Sequence, residues 1–120
     1  MKIRLLKPHE IPAALELAKR VFMLFEAPDY GEEGVRAFTD SLADHRFISG
    51  LVFYGAFEKG ELLGTIATRR NGSHISYLFV DERYHRRGIG RRLVEKVLKS
   101  TDSPVVTVNA APYPVGFYHR

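Results

Sequence analysis

The sequence has no cysteine. Disulfide cross-links, thiolate catalysis and cysteine-ligated metals are therefore excluded. It has no run of about 18 apolar residues, so no transmembrane helix can be drawn. Behind Met1-Lys2-Ile3-Arg4 no apolar signal core follows, because Lys7, His9 and Glu10 come too soon. Without a targeting segment the expected location is the cytoplasm, with no membrane partner. The five histidines, 9, 45, 74, 85 and 119, show no H-x-x-x-H spacing, so no metal is expected. Charge of one sign is also scarce: 18 basic against 14 acidic residues leave +4. That excess suits an anionic ligand and is too small to argue for nucleic acid, of which no binding motif is recognisable.

The chain has 120 residues, with 45% apolar and 27% charged. These values fit one folded domain over residues 1–120 with a single core and no disorder. Ile3 to Leu6 is expected to be a strand. Ile11, Ala14, Leu15, Ala18, Val21, Phe22 and Phe25 recur in steps of three and four, the signature of an amphipathic helix. Pro12 fits its first turn and Pro28 stops it. A second helix is expected from about Tyr30, started by Asp29 with Glu32, and a loop from Asp44 to Gly50. Leu51–Glu58, Leu62–Arg69 and Ser73–Val80 read as three antiparallel strands, with turns at Lys59-Gly60 and Asn71-Gly72. A helix over Gly88–Ser100 then leads to a strand over Val105–Ala110, which a crossover of this length makes parallel. From Tyr113 another helix begins. The fold class is α+β, with a mixed, mostly antiparallel sheet flanked by helices.

The stretch richest in chemistry joins Val80 to the helix through a basic loop ending in Gly88-Ile89-Gly90. The first turn of a helix carries unpaired N–H groups and the positive end of the dipole. Glycine lets a ligand approach that backbone, so the terminus suits an anion. Arg83, Arg86, Arg87, Arg91 and Arg92 crowd the same place and could grip phosphates as planar forks. A bare G-x-G arises about once by chance in a chain with 10 glycines. A helix entry with a solvated basic face therefore stays open on these residues alone. Neither a Walker loop nor a dinucleotide fingerprint fits, since Leu93 stands where the latter needs its third glycine.

Val80-Asp81-Glu82-Arg83-Tyr84-His85-Arg86-Arg87-Gly88-Ile89-Gly90 resembles the acetyl-CoA signature of the GNAT superfamily of N-acetyltransferases. That signature runs Gln or Arg, two free positions, Gly, one free position, then Gly or Ala; His85 here takes the place of Gln or Arg. Val108-Asn109-Ala110-Ala111-Pro112-Tyr113-Pro114-Val115-Gly116-Phe117-Tyr118 resembles the family's final-strand-to-helix segment. The two matches stand in the family's order over about residues 50–120.

The resemblance implies a GNAT-like sheet with the family's two C-terminal strands absent from this chain. A longer parent protein is the favoured explanation; otherwise a second copy, as a homodimer, could cover the exposed edge. It further implies that acetyl-CoA is the co-substrate and that a small-molecule or peptide amine is the acceptor. The amides from Arg86 through Arg87, Gly88, Ile89 and Gly90 to Arg91 would wrap the pyrophosphate, with His85 beside them. Backbone groups of Leu78, Phe79 and Val80 would pair with the pantetheine arm, one of them polarising the thioester carbonyl. Asn109 would bond the cofactor, and Tyr118 would protonate the departing sulfur. Without the resemblance, Tyr118 reads as a core aromatic and Asn109 as a strand terminator. The general base is left open among His74, Glu26, Glu58, Asp81, Glu82 and a relayed water. Phe22, Phe25, Tyr30 and Phe38 are candidates for an acceptor cleft, and Asp29 for its cation or a helix cap. A non-catalytic acyl-CoA-binding module is the alternative; it would keep the glycine site and not need Tyr118.

Overall fold

The computed structural model describes residues 1–108, so Asn109 and Tyr118 lie outside the described residues. Strand β1 (Lys2–Leu5) opens the chain, and Leu6 extends its pairing by donating to the Phe53 carbonyl at 3.0 Å. Helix α1 (Ile11–Phe25) carries Pro12 in its first turn, where a missing N–H costs nothing. Its buried stripe is Ala14, Leu17, Ala18, Val21 and Phe22. Leu17 thus replaces Leu15 in the expected stripe, and Phe25 is 50% exposed.

Pro28 ends α1 through a 3-10 turn over Ala27–Asp29, so α2 begins at Glu32 and spans Glu32–Ala43. Asp29 belongs to that turn and does not cap α2; Gly31 precedes the helix without a side-chain cap. Tyr30 is extended between them, its ring edge-on to Phe22 at 5.2 Å. The loop expected over Asp44–Gly50 contains a short helix, α3 (His45–Ser49). Asp44 starts it by accepting the Phe47 N–H at 3.0 Å, and Phe47 and Ile48 pack on the core.

Strands β2 (Val52–Glu58), β3 (Glu61–Arg69), β4 (His74–Val80) and β5 (Thr107–Val108) complete one sheet in the order β1-β2-β3-β4-β5. The first three pairings are antiparallel. β5 runs parallel to β4 through His74↔Thr107 and Ile75↔Val108, as a helical crossover requires. Lys59 and Gly60 make the tight turn with left-handed φ of 51° and 81°. Asn71-Gly72 sits in a wider turn, since Arg69 pairs with His74 and Ser73 N–H bonds the Arg70 carbonyl at 3.1 Å.

The sheet is covered on both faces. Phe53, Ala67, Tyr77 and Phe79 meet α1 and α2; Ala56, Leu63, Ile66, Leu78 and Val80 meet α4 (Ile89–Ser100) through Ile89, Leu93 and Val97. All of β4 is buried, which explains why it shows no polar alternation. One residue breaks its parity. Ala67 pairs with Tyr77 and Thr68 with Ile75, so Ser76 is an extra residue, a β-bulge. Among the described residues, no helix is long and apolar enough to cross a membrane.

Candidate functional site at the end of strand β4

The register of β4 decides which of its peptide groups can meet a ligand. Asp81 N–H donates to the Leu63 carbonyl at 2.8 Å. In an antiparallel ladder the groups alternate sides. Phe79 therefore bonds back to β3, and Leu78 and Val80 turn their N–H and C=O toward the β5 side. Of the three residues expected to line a pantetheine arm, Leu78 and Val80 present backbone in that direction and Phe79 does not. The Val80 carbonyl is already used: His85 Nε2 lies 2.6 Å from it and donates to it. The imidazole thus closes the loop onto the strand, while its ring meets Phe25 at 5.0 Å between centroids.

The loop itself is braced by charge. Asp81, 2% exposed, accepts the Arg83 N–H at 2.9 Å and both guanidiniums, Arg83 Nη2 and Arg20 Nη2, each at 3.0 Å. The Arg83 side chain, foremost, holds the Asp81 carboxyl below the usual carboxylate range. Glu61 takes Arg83 Nη2 at 3.0 Å and the Tyr84 hydroxyl at 3.1 Å. Arg83 is therefore spent on the fold. Arg87 lies over the Tyr84 ring at 5.5 Å, and Arg86, Arg91 and Arg92 are exposed.

Beyond this brace the chain turns through Arg86 and Gly88, both left-handed with φ of 64° and 77°. Left-handed residues at such a turn aim successive N–H groups into one concavity, an anion nest. Arg92 N–H makes the first helical bond, to the Gly88 carbonyl at 3.1 Å. The amides of Ile89, Gly90 and Arg91 thus precede the ladder, and no side chain caps the helix. A Cβ built on Gly88 meets no atom within 4 Å. Among the described residues, no atom beyond its chain neighbours crowds the position off Gly88, which leaves room for a ligand there.

The residues left open as bases are now distinguishable. Asp81 and Glu82 are both paired with Arg20. Glu58 binds the N-terminal ammonium at 3.1 Å, and His74 Nδ1 contacts Thr107 Oγ1 at 2.6 Å. Glu26 differs. It is 2% exposed, and its Oε2 is buried without a hydrogen-bond partner among the described residues. Burial pushes its carboxyl up from 4.5 to about 7. Between those two values the native state binds the extra proton, so this group's stability contribution falls as pH rises and the full penalty is present above pH 7. Glu26→Gln is therefore expected to gain about 2–3 kcal/mol over wild type at pH 8 and almost nothing at pH 4. Urea melts at the two pH values measure this; a pH-independent difference contradicts it. Nothing in residue type distinguished Glu26 from the other acids; only its burial did. Ser76 also escaped sequence reading, since a bulge carries no compositional signal here.

Of the aromatic candidates, Phe22 and Phe38 stack at 3.8 Å with 7° between planes, and Phe38 meets Phe79 edge-on at 5.6 Å. They are core. Phe25 and Tyr30 lie at its margin, toward the loop and toward Glu26. Among the described residues no cluster of acids and histidines could hold a metal ion.

A family model described as the acetyltransferase (GNAT) domain matches residues 26–120. No curated protein sequence matches the chain. A GCN5-related N-acetyltransferase from Rhodopseudomonas palustris is 22% identical, with a TM-score of 0.69 over 82% of this chain and 63% of that one. This chain thus spans less than two thirds of that structure. PaiA N-acetyltransferase from Thermoplasma acidophilum, solved with coenzyme A, is 19% identical, with a TM-score of 0.66 over 82% and 71%. Apo YjaB from Escherichia coli is 23% identical, with a TM-score of 0.73 over 98% and 78%. These likenesses bear on the fold, and it is the fold predicted from the sequence: a five-stranded mixed sheet between helices, its fourth strand running into a glycine-opened helix. With the family model covering 95 of 120 residues (26 to 120), the chain belongs to the GNAT acetyltransferase family.

Proposed function

We propose that the protein transfers an acetyl group from acetyl-CoA directly to a primary amine. The observation that carries this reading is the open amide nest from Arg86 to Arg91 beside the outward backbone of Leu78 and Val80, in a chain of the GNAT family. The pyrophosphate would sit against the amides of Gly88, Ile89, Gly90 and Arg91, with Arg86, Arg87 and Arg91 supplying charge. The Leu78 N–H and C=O and the Val80 N–H would bond the pantetheine arm as an added strand. His85 supports this geometry by holding the Val80 carbonyl through Nε2, which in this reading makes it a positioning residue beside the amides. That the neighbour from Thermoplasma acidophilum was solved with coenzyme A agrees with this choice.

The amine nitrogen forms its bond to the acetyl carbonyl carbon. The carbonyl oxygen becomes an oxyanion, which a backbone donor stabilises by about 3–4 kcal/mol. The C–S bond then breaks, and the thiolate takes a proton. Tyr118, with an unperturbed pKa near 10, is the proton donor that the family resemblance names, and Asn109 the residue that would hold the strand end.

The test is a thermal shift with acetyl-CoA, followed by turnover against a panel of primary amines. Acetyl-CoA at a hundred-fold excess over Kd should stabilise the protein by about 2.7 kcal/mol. Tyr118→Phe should keep that shift and lose turnover about 10²-fold or more. Absence of any shift sinks the reading. Tight binding without turnover replaces it by an acyl-CoA-binding module.

A further inference from the structure

A second cleft lies at the C-terminal end of α4, away from the amide nest at its start. Its volume is about 640 Å³, within the range of small-molecule sites. Val52 and Tyr54 of β2, Thr68 of β3 and Val97 of α4 form the floor. One wall is the turn between β3 and β4, residues 70–73; the other is the segment 100–103, which ends α4 and follows it. The two walls are joined at one edge. Thr101 Oγ1 donates to the Asn71 carbonyl at 2.8 Å, and a Cβ built on Gly72 stands only 3.1 Å from Thr101 Cβ. Glycine permits that approach, so the packing of the two segments shapes the cleft before any ligand arrives.

The first wall is strained. Arg70, Asn71 and Gly72 are left-handed in succession, with φ of 57°, 58° and 83°. A residue with a Cβ adopts that conformation only where its surroundings impose it, and such strain clusters at ligand sites. Charge is divided between the walls. Arg70 stands on the turn, and Asp102 stands beyond α4, where the negative end of the helix dipole also lies. Among the described residues neither side chain makes an ion pair, with the other or with any third group. The hydroxyls of the walls are already used. Ser73, Ser100, Thr101 and Ser103 donate to the carbonyls of Arg70, Lys96, Asn71 and Val105. A polyhydroxylated ligand would find those protons taken, whereas a ligand with one charge of each sign finds both charges waiting.

We propose that this cleft binds a small zwitterion with an apolar tail, of the class of the free amino acids. The carboxylate pairs with Arg70, and the ammonium with Asp102 and the end of α4. The tail rests on Val52, Tyr54 and Val97; the Tyr54 ring is itself steadied by Lys96 Nζ, 5.9 Å from its centroid. A ligand with only one of the charges leaves the other wall unmatched. The inference goes beyond acetyl transfer and does not depend on it, since no residue of the cleft belongs to the nest or to Leu78–Val80.

The test is a titration of the full chain with phenylalanine and with leucine, followed in amide ¹H–¹⁵N spectra. Phenylalaninamide, which lacks the carboxylate, and 3-phenylpropionate, which lacks the ammonium, are the controls. Saturable shifts should centre on Asn71, Gly72, Thr101 and Ser103, and each control should bind about tenfold more weakly than phenylalanine, the loss of one charge-assisted hydrogen bond. Arg70→Gln and Asp102→Asn alter exposed side chains, and urea melts confirm that each variant stays folded. Each should weaken phenylalanine binding about tenfold and leave any thermal shift with acetyl-CoA unchanged. Absence of saturable shifts at these four residues with both amino acids overturns the proposal. So does a phenylalanine affinity within about twofold of wild type in both variants, or equal binding of the controls. Shifts confined to Leu78, Gly88 and their neighbours would instead make the amino acid an acceptor at the acyl-transfer site, and overturn it as well.

Discussion

Gly88→Asp is expected to weaken acetyl-CoA binding about a thousand-fold, or roughly 4 kcal/mol. The reason is local. Among the described residues, a side chain at Gly88 enters space in which no atom beyond its chain neighbours lies within 4 Å. That is the space a diphosphate would need, and an aspartate puts like charge into it, a juxtaposition that costs several kcal/mol. The fold should barely notice. Gly88 has a φ of 77°, which costs a non-glycine residue about 1–2 kcal/mol, and aspartate tolerates it better than most. Calorimetric titration with acetyl-CoA, beside a urea melt, separates the two effects. Gly88→Asn supplies the same backbone tolerance without charge and should fall between. An aspartate variant that binds within threefold of wild type would place the phosphates elsewhere.

Phe22→Ala should cost about 3–5 kcal/mol of stability, the range for emptying a buried aromatic site. Phe22 is 1% exposed, stacked on Phe38 at 3.8 Å and met edge-on by Tyr30 at 5.2 Å. Its loss removes one ring from two ring contacts, and α2 has no fully buried residue of its own to compensate. For a domain of this size that is a large share of total stability. Because Phe22 also anchors the end of α1, Phe25, His85 and Glu26 should loosen together. Phe22→Leu keeps most of the volume and should cost less than half as much. Urea denaturation measures both; a loss under 1 kcal/mol for the alanine variant would mean that α1 and α2 are not joined through this stack.

Most of the fold was legible because its elements carry strong periodicity. Ala14, Ala18, Val21 and Phe22 recur at helical spacing, and Lys59-Gly60 and Asn71-Gly72 separate three runs of branched and aromatic residues. Boundaries were less legible where tertiary contacts outweigh local signals. Asp29 with Glu32 has the letters of a helix start, yet Pro28 and the packing of Tyr30 on Phe22 move the start of α2 to Glu32. Asp44 to Gly50 has too few residues for a periodic pattern, and a cap from Asp44 still makes it a helix.

At the site, sequence alone located the strand, the basic loop and Gly88-Ile89-Gly90, because glycine and a helix start have local causes. Sequence could not say that Arg83 is consumed by Asp81 and Glu61, that His85 turns back to Val80, or that Phe79 faces β3. Each of these depends on partners 2 to 22 residues away in the chain, or on strand register. Nor could it separate Glu26 from Glu58 or Glu82. The three have the same chemistry, and their pKa values part only when the fold removes water from one and leaves ion pairs to the others. What the sequence determined by itself was the order of the main elements and the place of the glycine-opened helix start, since both follow from near neighbours. Which acid is buried and which backbone groups are left to a ligand were decided by the tertiary structure, because desolvation and register exist only once distant segments pack.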